Sequence, residues 1–215
     1  MRRNDVAATA QDSRRCVPFD DLAAVILSRP PRLGPVRLVA VDGPSGAGKT
    51  VFADRLARRL NAPVLHTDDL LDGWADQFTF WARLEEQVLQ PLRCGRIAEY
   101  QRYRWDRPGF GGEQVRIEPA GVVVMEGVSS ARRVIRPELS LAVFVTAPPL
   151  LRWTRVLARD GTADIAFSAY LERWRAAEDR HFAADRTPQY AEVGVDGGAD
   201  GSDEGYEQLW RRSLG

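Results

Sequence analysis

Residues 36–52 read VRLVAVDGPSGAGKTVF. An apolar run of strand length, VRLVAV (36–41), passes into Gly43-Pro44-Ser45-Gly46-Ala47-Gly48-Lys49-Thr50, which fits G-x-x-x-x-G-K-[ST] without a mismatch. Phe52, Leu56 and Leu60 then recur at helical spacing. Strand, glycine-rich loop and helix in that order make a phosphate cradle. The glycines let the loop amides turn inward, the helix adds the positive end of its dipole, and the Lys49 ammonium reaches the terminal phosphates. Thr50 would supply a hydroxyl to Mg2+. A plain glycine-rich turn is the bland alternative, and the complete match between two flanking elements argues against it.

The charge inventory supports the same site. All but one of the 30 Lys+Arg residues are arginine, and the single lysine is Lys49. A compact cradle suits the point charge and three rotatable donors of an ammonium better than the broad planar guanidinium fork. Against those cations stand 30 Asp+Glu residues, so the chain is formally neutral and no global field draws it to nucleic acid or an anionic membrane. No apolar stretch approaches the roughly 18 residues of a membrane span, and the basic residues of the first fifteen have no apolar signal region behind them. A cytoplasmic protein is expected. Cys16 and Cys94 lack disulfide-framework or zinc-ligand spacing and are expected to be free thiols.

The 215 residues are enough for one ordinary α/β domain. Residues 1–17 are expected to be a flexible arm and 18–215 one domain. A first helix with Phe19, Leu22, Val25 and Ile26 is expected to be capped by Asp20 or Asp21. The further strand candidates are APVLHT (62–67), GVVVME (121–126), LAVFVT (141–146) and YAEVGV (190–195). Such near-continuous apolar runs alternating with helices indicate a parallel sheet covered on both faces. Phe78, Trp81, Leu84, Val88 and Leu92 mark a longer helix that Pro91 should kink. Helices are also expected over about 150–159, after Pro148 and Pro149, and from about Asp164 to Ala184. Tyr206, Leu209 and Trp210 suggest a last short helix.

Three groups of residues point from nucleotide binding to chemistry. The second strand ends at His66-Thr67-Asp68-Asp69-Leu70-Leu71-Asp72, which places Asp68 at the carboxyl edge of the sheet. There it could take a proton from an acceptor hydroxyl and help hold hydrated Mg2+. Asp69 and Asp72 read equally well as capping acids. Val124-Met125-Glu126-Gly127 delivers Glu126 to the same edge, a Walker B-like position for a metal or water network. Arg152, Arg155 and Arg159 share one helix face and would form a lid over transferring phosphoryl charge, against the alternative of a solvated basic face. Arg173, Arg175 and Arg180 on the next helix are further candidates, whereas His66 and His181, each alone, are expected to be structural.

This order of motifs resembles the uridine kinase-like branch of P-loop kinases over about residues 36 to 198. The resemblance rests on VDGPSGAGKT, the Asp68 strand end, MEG at 125–127, RWTRVLARDG and the Tyr190-to-Gly198 strand and loop. It implies a three-layer α/β/α fold with a five-stranded parallel sheet in order 2-3-1-4-5 and a helical lid over about 150–185. It also implies Asp68 as catalytic base and an adenine site between the lid and Gly194 to Gly198. The departures fall at the acceptor. The base-reading histidine and the phenylalanine-aspartate-proline element of uridine kinases have no counterpart here. In the 100–109 stretch, Tyr103, Trp105 and Asp106 could stack on a ring and accept from sugar hydroxyls, while Arg102, Arg104 and Arg107 would suit an anionic acceptor. Ordinary packing or an amphipathic edge strand is the alternative for this stretch.

The expected protein is a kinase moving the γ-phosphoryl of ATP, with Mg2+, to a hydroxyl of a small molecule, foremost a nucleoside. The nucleotide would lie on the 43–50 loop and Arg152. Lys49, Asp68, Arg155 and Arg159 would serve catalysis, Thr50, Glu126 and Asp68 the metal, and Asp68, Tyr103, Trp105, Asp106 and Arg107 the acceptor. A vitamin precursor, sugar or antibiotic is the alternative acceptor, and a nucleotide-dependent regulatory ATPase the alternative class. The partners are a nucleoside triphosphate and the small acceptor, without nucleic acid or membrane, and a homo-oligomer is left open.

Overall fold

Alternation along the central strand decides which side chains serve which face of the sheet. In β2 (Arg37–Asp42), Leu38 and Ala40 enter one buried cluster, and Val39 and Val41 the other. The flanking parallel strands β6 (Val122–Glu126) and β7 (Leu139–Thr146) divide in the same way: Val123, Met125, Ala142 and Phe144 face one side, and Val122, Val124, Leu141 and Val143 the other. A sheet buried on both faces needs helices on both. The computed structural model, which describes residues 15–119, 121–161, 165–199 and 202–212, has them.

On one face lie α1 (Phe19–Ser28) and α2 (Lys49–Leu60), through Phe19, Leu22, Ile26, Phe52, Ala53 and Leu56. The other face takes the helix formed by α3 (Trp81–Leu84), a wide π turn (Glu85–Leu89) and α4 (Gln90–Arg93), through Leu84, Val88, Leu89 and Leu92. The expected irregularity near Pro91 is this π turn, in which the Gln90 N–H reaches back to the Glu85 carbonyl. Phe182 of α6 (Ile165–Asp185) and Ala191, just after α7 (Thr187–Tyr190), join the same face. The helix α5 (Pro149–Asp160) begins at the expected proline pair. The expected start of α6 at Asp164 lies outside the described residues.

The sheet has seven strands, not the expected five. Its order is β1-β9-β8-β7-β2-β6-β3, with β1 (Arg15–Pro18), β3 (Val64–His66), β8 (Val193–Asp196) and β9 (Gly205–Arg211). The parallel members β2, β3, β6, β7 and β8, numbered among themselves, still run 2-3-1-4-5, and β9 and β1 extend one edge antiparallel. Both additions correct expectations. Residues 15–17, assigned to a flexible arm, pair with β9, and the arm's first 14 residues lie outside those described.

Tyr206, Leu209 and Trp210 belong to a strand, because the open edge of β8 offers hydrogen-bond partners that an isolated turn of helix lacks. A register shift between Gly194 and Val195 sends Tyr206 and Trp210 to opposite faces. Tyr206 meets Phe19 and Phe52, each ring centroid 5.3 Å from the others. Trp210 covers Gly194, where a Cβ would come within 2.2 Å of its ring. Two smaller corrections concern local chemistry. Pro18, not Asp20 or Asp21, precedes α1, and both acids lie in its first turn, where they favour the dipole. Tyr190 ends α7 instead of opening β8.

A separate antiparallel hairpin, β4 (Ala98–Tyr103) and β5 (Phe110–Ile117), carries the 100–109 stretch beyond the sheet. Asp69 fastens it, accepting from the Tyr100 hydroxyl at 3.3 Å and pairing with Arg102 at 3.0 Å. Cys16 and Cys94 are free and exposed. Among the described residues no helix is long and apolar enough to cross a membrane.

Candidate functional site

The carboxyl ends of β2, β3 and β6 converge below a cavity of about 500 Å3, a volume within the range of small-molecule sites. Its floor is Ser45, Gly46, Gly48, Lys49 and Thr50. The Lys49 ammonium is directed back to the Pro44 carbonyl at 3.1 Å, and α2 begins at Lys49 itself, so the loop amides stand at a helix N-terminus. Gly43, Pro44 and Ala47 shape the loop without lining the cavity.

Behind the loop, Asp42 is fully buried and accepts from the amides of Gly43 (2.7 Å), Ser129 (2.9 Å) and Ala131 (2.9 Å). It thereby ties the root of the cradle to the turn after β6. Sequence reading passed over this residue, although an acid ending an otherwise apolar strand was the available signal. Burial pushes its carboxyl up to about 6, against the pull of those amides and of Lys49. Between the ordinary carboxylate value and about pH 6, the native state keeps a proton that the unfolded chain has released. The Asp42 contribution to stability therefore falls as pH rises through that window. Asp42→Ala should cost about 3 kcal/mol or more, since it orphans three buried donors, and urea unfolding will measure it.

Asp68 and Glu126 stand together at the cavity wall. Asp68 follows β3 in a 3-10 turn (Thr67–Leu70). Its side chain is exposed to the cavity, while protein atoms crowd around the carboxyl. That desolvation raises its pKa, the Glu126 charge raises it further, and Lys49 and Arg159 pull it back. Glu126 accepts from the Thr50 hydroxyl at 3.2 Å and from His66 Nδ1 at 2.7 Å. A carboxylate only accepts, so this His66 nitrogen carries the proton, and the bond to Glu126 raises the His66 pKa. His66, expected to be purely structural, is thus joined to the site. His181 fits its structural expectation, packing on Phe78 with ring centroids 4.8 Å apart. Gly127 permits the close turn after Glu126: its φ is +142°, and a Cβ would come within 1.8 Å of Thr67 Oγ1.

Thr50, Glu126 and Asp68 form an all-oxygen set suited to a hard cation that retains water and substrate phosphate as its other ligands, as Mg2+ does. Among the described residues there is no cluster of three or more His, Cys, Asp or Glu that would cage a metal by itself.

The arginines Arg152, Arg155 and Arg159 all line the cavity. Arg155 Nη1 donates to the carbonyls of Gly46 (3.2 Å) and Gly197 (2.8 Å), and so links α5, the cradle and the loop after β8. Arg152 Nε donates to the Ala147 carbonyl at 3.1 Å. Arg159 pairs with Asp160 at 2.7 Å and also acts on Asp68. Arg175 lines the wall with its guanidinium 4.9 Å from the Trp153 ring centroid.

Of the expected acceptor residues, only Asp68 and Trp105 reach the cavity. Tyr103 turns edge-on to Trp105 (5.0 Å) and Phe110 (5.4 Å) within the hairpin. Asp106 is paired with Arg104, and Arg107 is exposed. The reason is geometric: the chain reverses between Tyr103 and Phe110, so neighbours there cannot all face one pocket. The cavity takes instead an apolar wall from three distant segments: Leu71 and Trp74, Trp105, and Leu171 and Trp174 of α6. Trp74 is its centre, 4.9 Å from Trp105 and 5.5 Å from Trp174. Leu71, Trp74, Leu171 and Trp174 were missed by sequence reading, since only the assembled fold brings them together. Glu178, one helical turn beyond Trp174, is a further missed residue of the wall.

Residues 39–180, from the central strand through both arginine-bearing helices, match the family described as AAA domain. The chain belongs to that family. This AAA domain is 32% identical over 119 residues to Inorganic pyrophosphatase TTM2 of Arabidopsis thaliana, a match covering 51% of this chain and 18% of that protein's length. To the Cytidylate kinase of Pyrobaculum arsenaticum it is 28% identical over 151 residues, covering 68% of this chain and 73% of that one. Among solved structures, a "Possible Uridine Kinase" from Bacillus stearothermophilus matches with a TM-score of 0.60 and 20% identity, covering 82% of this chain and 96% of that one. The fold is therefore that of the P-loop kinases, and the likeness to their uridine kinase-like branch holds.

Proposed function

We propose that this AAA domain is an ATP-dependent kinase that transfers the γ-phosphoryl group to a hydroxyl of a small molecule with a flat, nucleoside-like body. One observation carries the reading: a single cavity holds the cradle residues Lys49 and Thr50, the carboxylates of Asp68 and Glu126, and a wall of tryptophans. The first four suit phosphoryl transfer, and the wall suits a planar acceptor.

The cradle amides and Lys49 would hold the phosphates, and Asp68 would orient the acceptor hydroxyl and take its proton. Arg159, beside Asp68, would stabilise charge on the transferring group, with Arg155 fixing α5 against the cradle and Arg152 holding the start of α5 to the Ala147 carbonyl. Thr50, Glu126 and Asp68 would hold Mg2+, which when bound neutralises charge on the β- and γ-phosphates.

Of the arginines that could have suited an anionic acceptor, Arg102 is engaged with Asp69 and Arg104 with Asp106, and Arg107 is exposed outside the cavity lining. The apolar wall likewise disfavours a bare sugar. Two of the relatives carry the names of kinases of pyrimidine compounds, which supports a nucleoside-like acceptor. The test is to incubate the protein with MgATP and a panel of nucleosides, aromatic alcohols, sugars, vitamin precursors and antibiotics, and to detect phosphorylated product by mass. Phosphate release independent of every acceptor would support a hydrolytic or regulatory ATPase instead, the reading nearer to the name of TTM2.

Trp105 offers a sharper check. It is 40% exposed at the lip of the cavity and packs on Trp74. Trp105→Ala should raise the acceptor KM about tenfold, in line with the loss of one stacking partner, and leave the ATP KM nearly unchanged in steady-state kinetics.

A further inference from the structure

Glu178 is 1% exposed, yet its carboxylate lies on the phosphate loop. It accepts from the Ser45 amide at 3.1 and 3.3 Å, from the Ser45 hydroxyl, and from Trp174 Nε1 at 2.9 Å. Ser45 is the third residue of the glycine-rich loop, whose inward-turned amides are the anion-binding element of such sites. A carboxylate with two oxygens on that amide supplies from within the chain what a phosphate would supply from outside. The direction of Lys49, donating to the Pro44 carbonyl and not outward, belongs to the same self-satisfied arrangement.

We propose that Glu178 is a built-in occupant of the phosphate cradle, a carboxylate that the phosphates of an incoming nucleotide must displace from Ser45. The same carboxylate holds Trp174, and Trp174 packs on Trp74 in the acceptor-facing wall. Expelling Glu178 therefore removes the partner that orients Trp174, so filling the cradle and seating the wall are one coupled equilibrium. Two anions cannot share one amide, and their repulsion in a partly enclosed cavity exceeds its value in water. Because the competent state must be free of Glu178, whatever weakens the hold of Glu178 on Ser45 tightens nucleotide binding, by up to the same factor. This rests on the ATP reading of the cavity and adds to it an internal competitor on α6.

The experiment is calorimetric titration of MgATP, without acceptor, into the full chain and into Glu178→Gln and Trp174→Phe. Glutamine keeps the shape and an accepting oxygen but removes the charge, so Glu178→Gln should bind MgATP about tenfold tighter, the difference between a charge-assisted and a neutral hydrogen bond. Trp174→Phe removes one of the donors that seat Glu178 and should tighten binding about threefold. Equal or weaker binding by Glu178→Gln, with the unaltered chain binding ATP, would overturn the competitor and leave the ATP reading standing. Tighter binding by Glu178→Gln with no change in Trp174→Phe would overturn the link to the wall. Failure of all three proteins to bind MgATP would overturn the ATP reading and this inference with it. Thermal melts will show which variants fold, and Trp174→Phe carries the test by itself if Glu178→Gln does not.

Discussion

Lys49→Ala is expected to lower kcat about 10²- to 10³-fold, the scale on which loss of one preorganised electrostatic contact to a transition state is felt. No other lysine exists in the chain to take over, and the arginines nearest the cradle have other contacts: Arg155 donates to two carbonyls, Arg152 to one, and Arg159 is paired with Asp160 beside Asp68. An arginine at position 49 should not rescue activity, because the fork is too broad for a loop in which the ammonium already lies 3.1 Å from the Pro44 carbonyl. Full activity of Lys49→Ala in a coupled ATP-consumption assay would refute the phosphate reading of the loop. Amine-directed modification should likewise inactivate the protein, and MgATP should protect it.

The second large effect concerns Asp68. Asp68→Asn keeps the volume and removes the proton acceptor, so MgATP should still bind while kcat falls about 10²- to 10⁴-fold, the contribution of a positioned general base. Burial and the Glu126 charge hold the Asp68 pKa above its ordinary value. A base works only when deprotonated, so kcat/KM should decline on the acid side at a pH above the usual carboxylate range, and this limb should be absent from the residual activity of Asp68→Asn. Near-normal turnover by the variant would remove Asp68 from the proposed chemistry and return it to a role in binding.

What the sequence made legible was what it kept contiguous. The cradle is eight consecutive residues between a strand and a helix, and Asp68 and Glu126 end apolar runs, so their convergence follows from parallel topology alone. The acceptor wall is different. Trp74, Trp105 and Trp174 come from a short 3-10 turn, the loop of a hairpin and a long helix, and no local period relates them. Tyr103 and Asp106 looked equivalent to Trp105 in the chain, but the reversal of the hairpin leaves Trp105 facing the cavity while Tyr103 packs against its ring and Asp106 turns to Arg104. Glu178 meets Ser45 across 133 positions, beyond the reach of any local pattern. The last strand was misread because Tyr206, Leu209 and Trp210 satisfy a helical spacing, while the register shift that sends Tyr206 and Trp210 to opposite faces breaks the plain alternation of a strand. The vacant edge of β8 decided between them, and that edge exists only once the sheet is assembled.

The three rings of Phe19, Phe52 and Tyr206 brace the phosphate-binding helix from its far side. Phe52 lies in the first turn of α2, only two residues beyond Thr50, while Phe19 opens the first helix and Tyr206 belongs to the last strand. The helix bearing the phosphate-binding residues is thus wedged from behind by segments that lie 187 positions apart in the sequence, Phe19 and Tyr206. Trimming the β9 segment, or attaching a tag that pries it from β1, would loosen the bearing on which Lys49 and Thr50 are aligned. Such an alteration, remote from every reacting atom, would act as an active-site lesion.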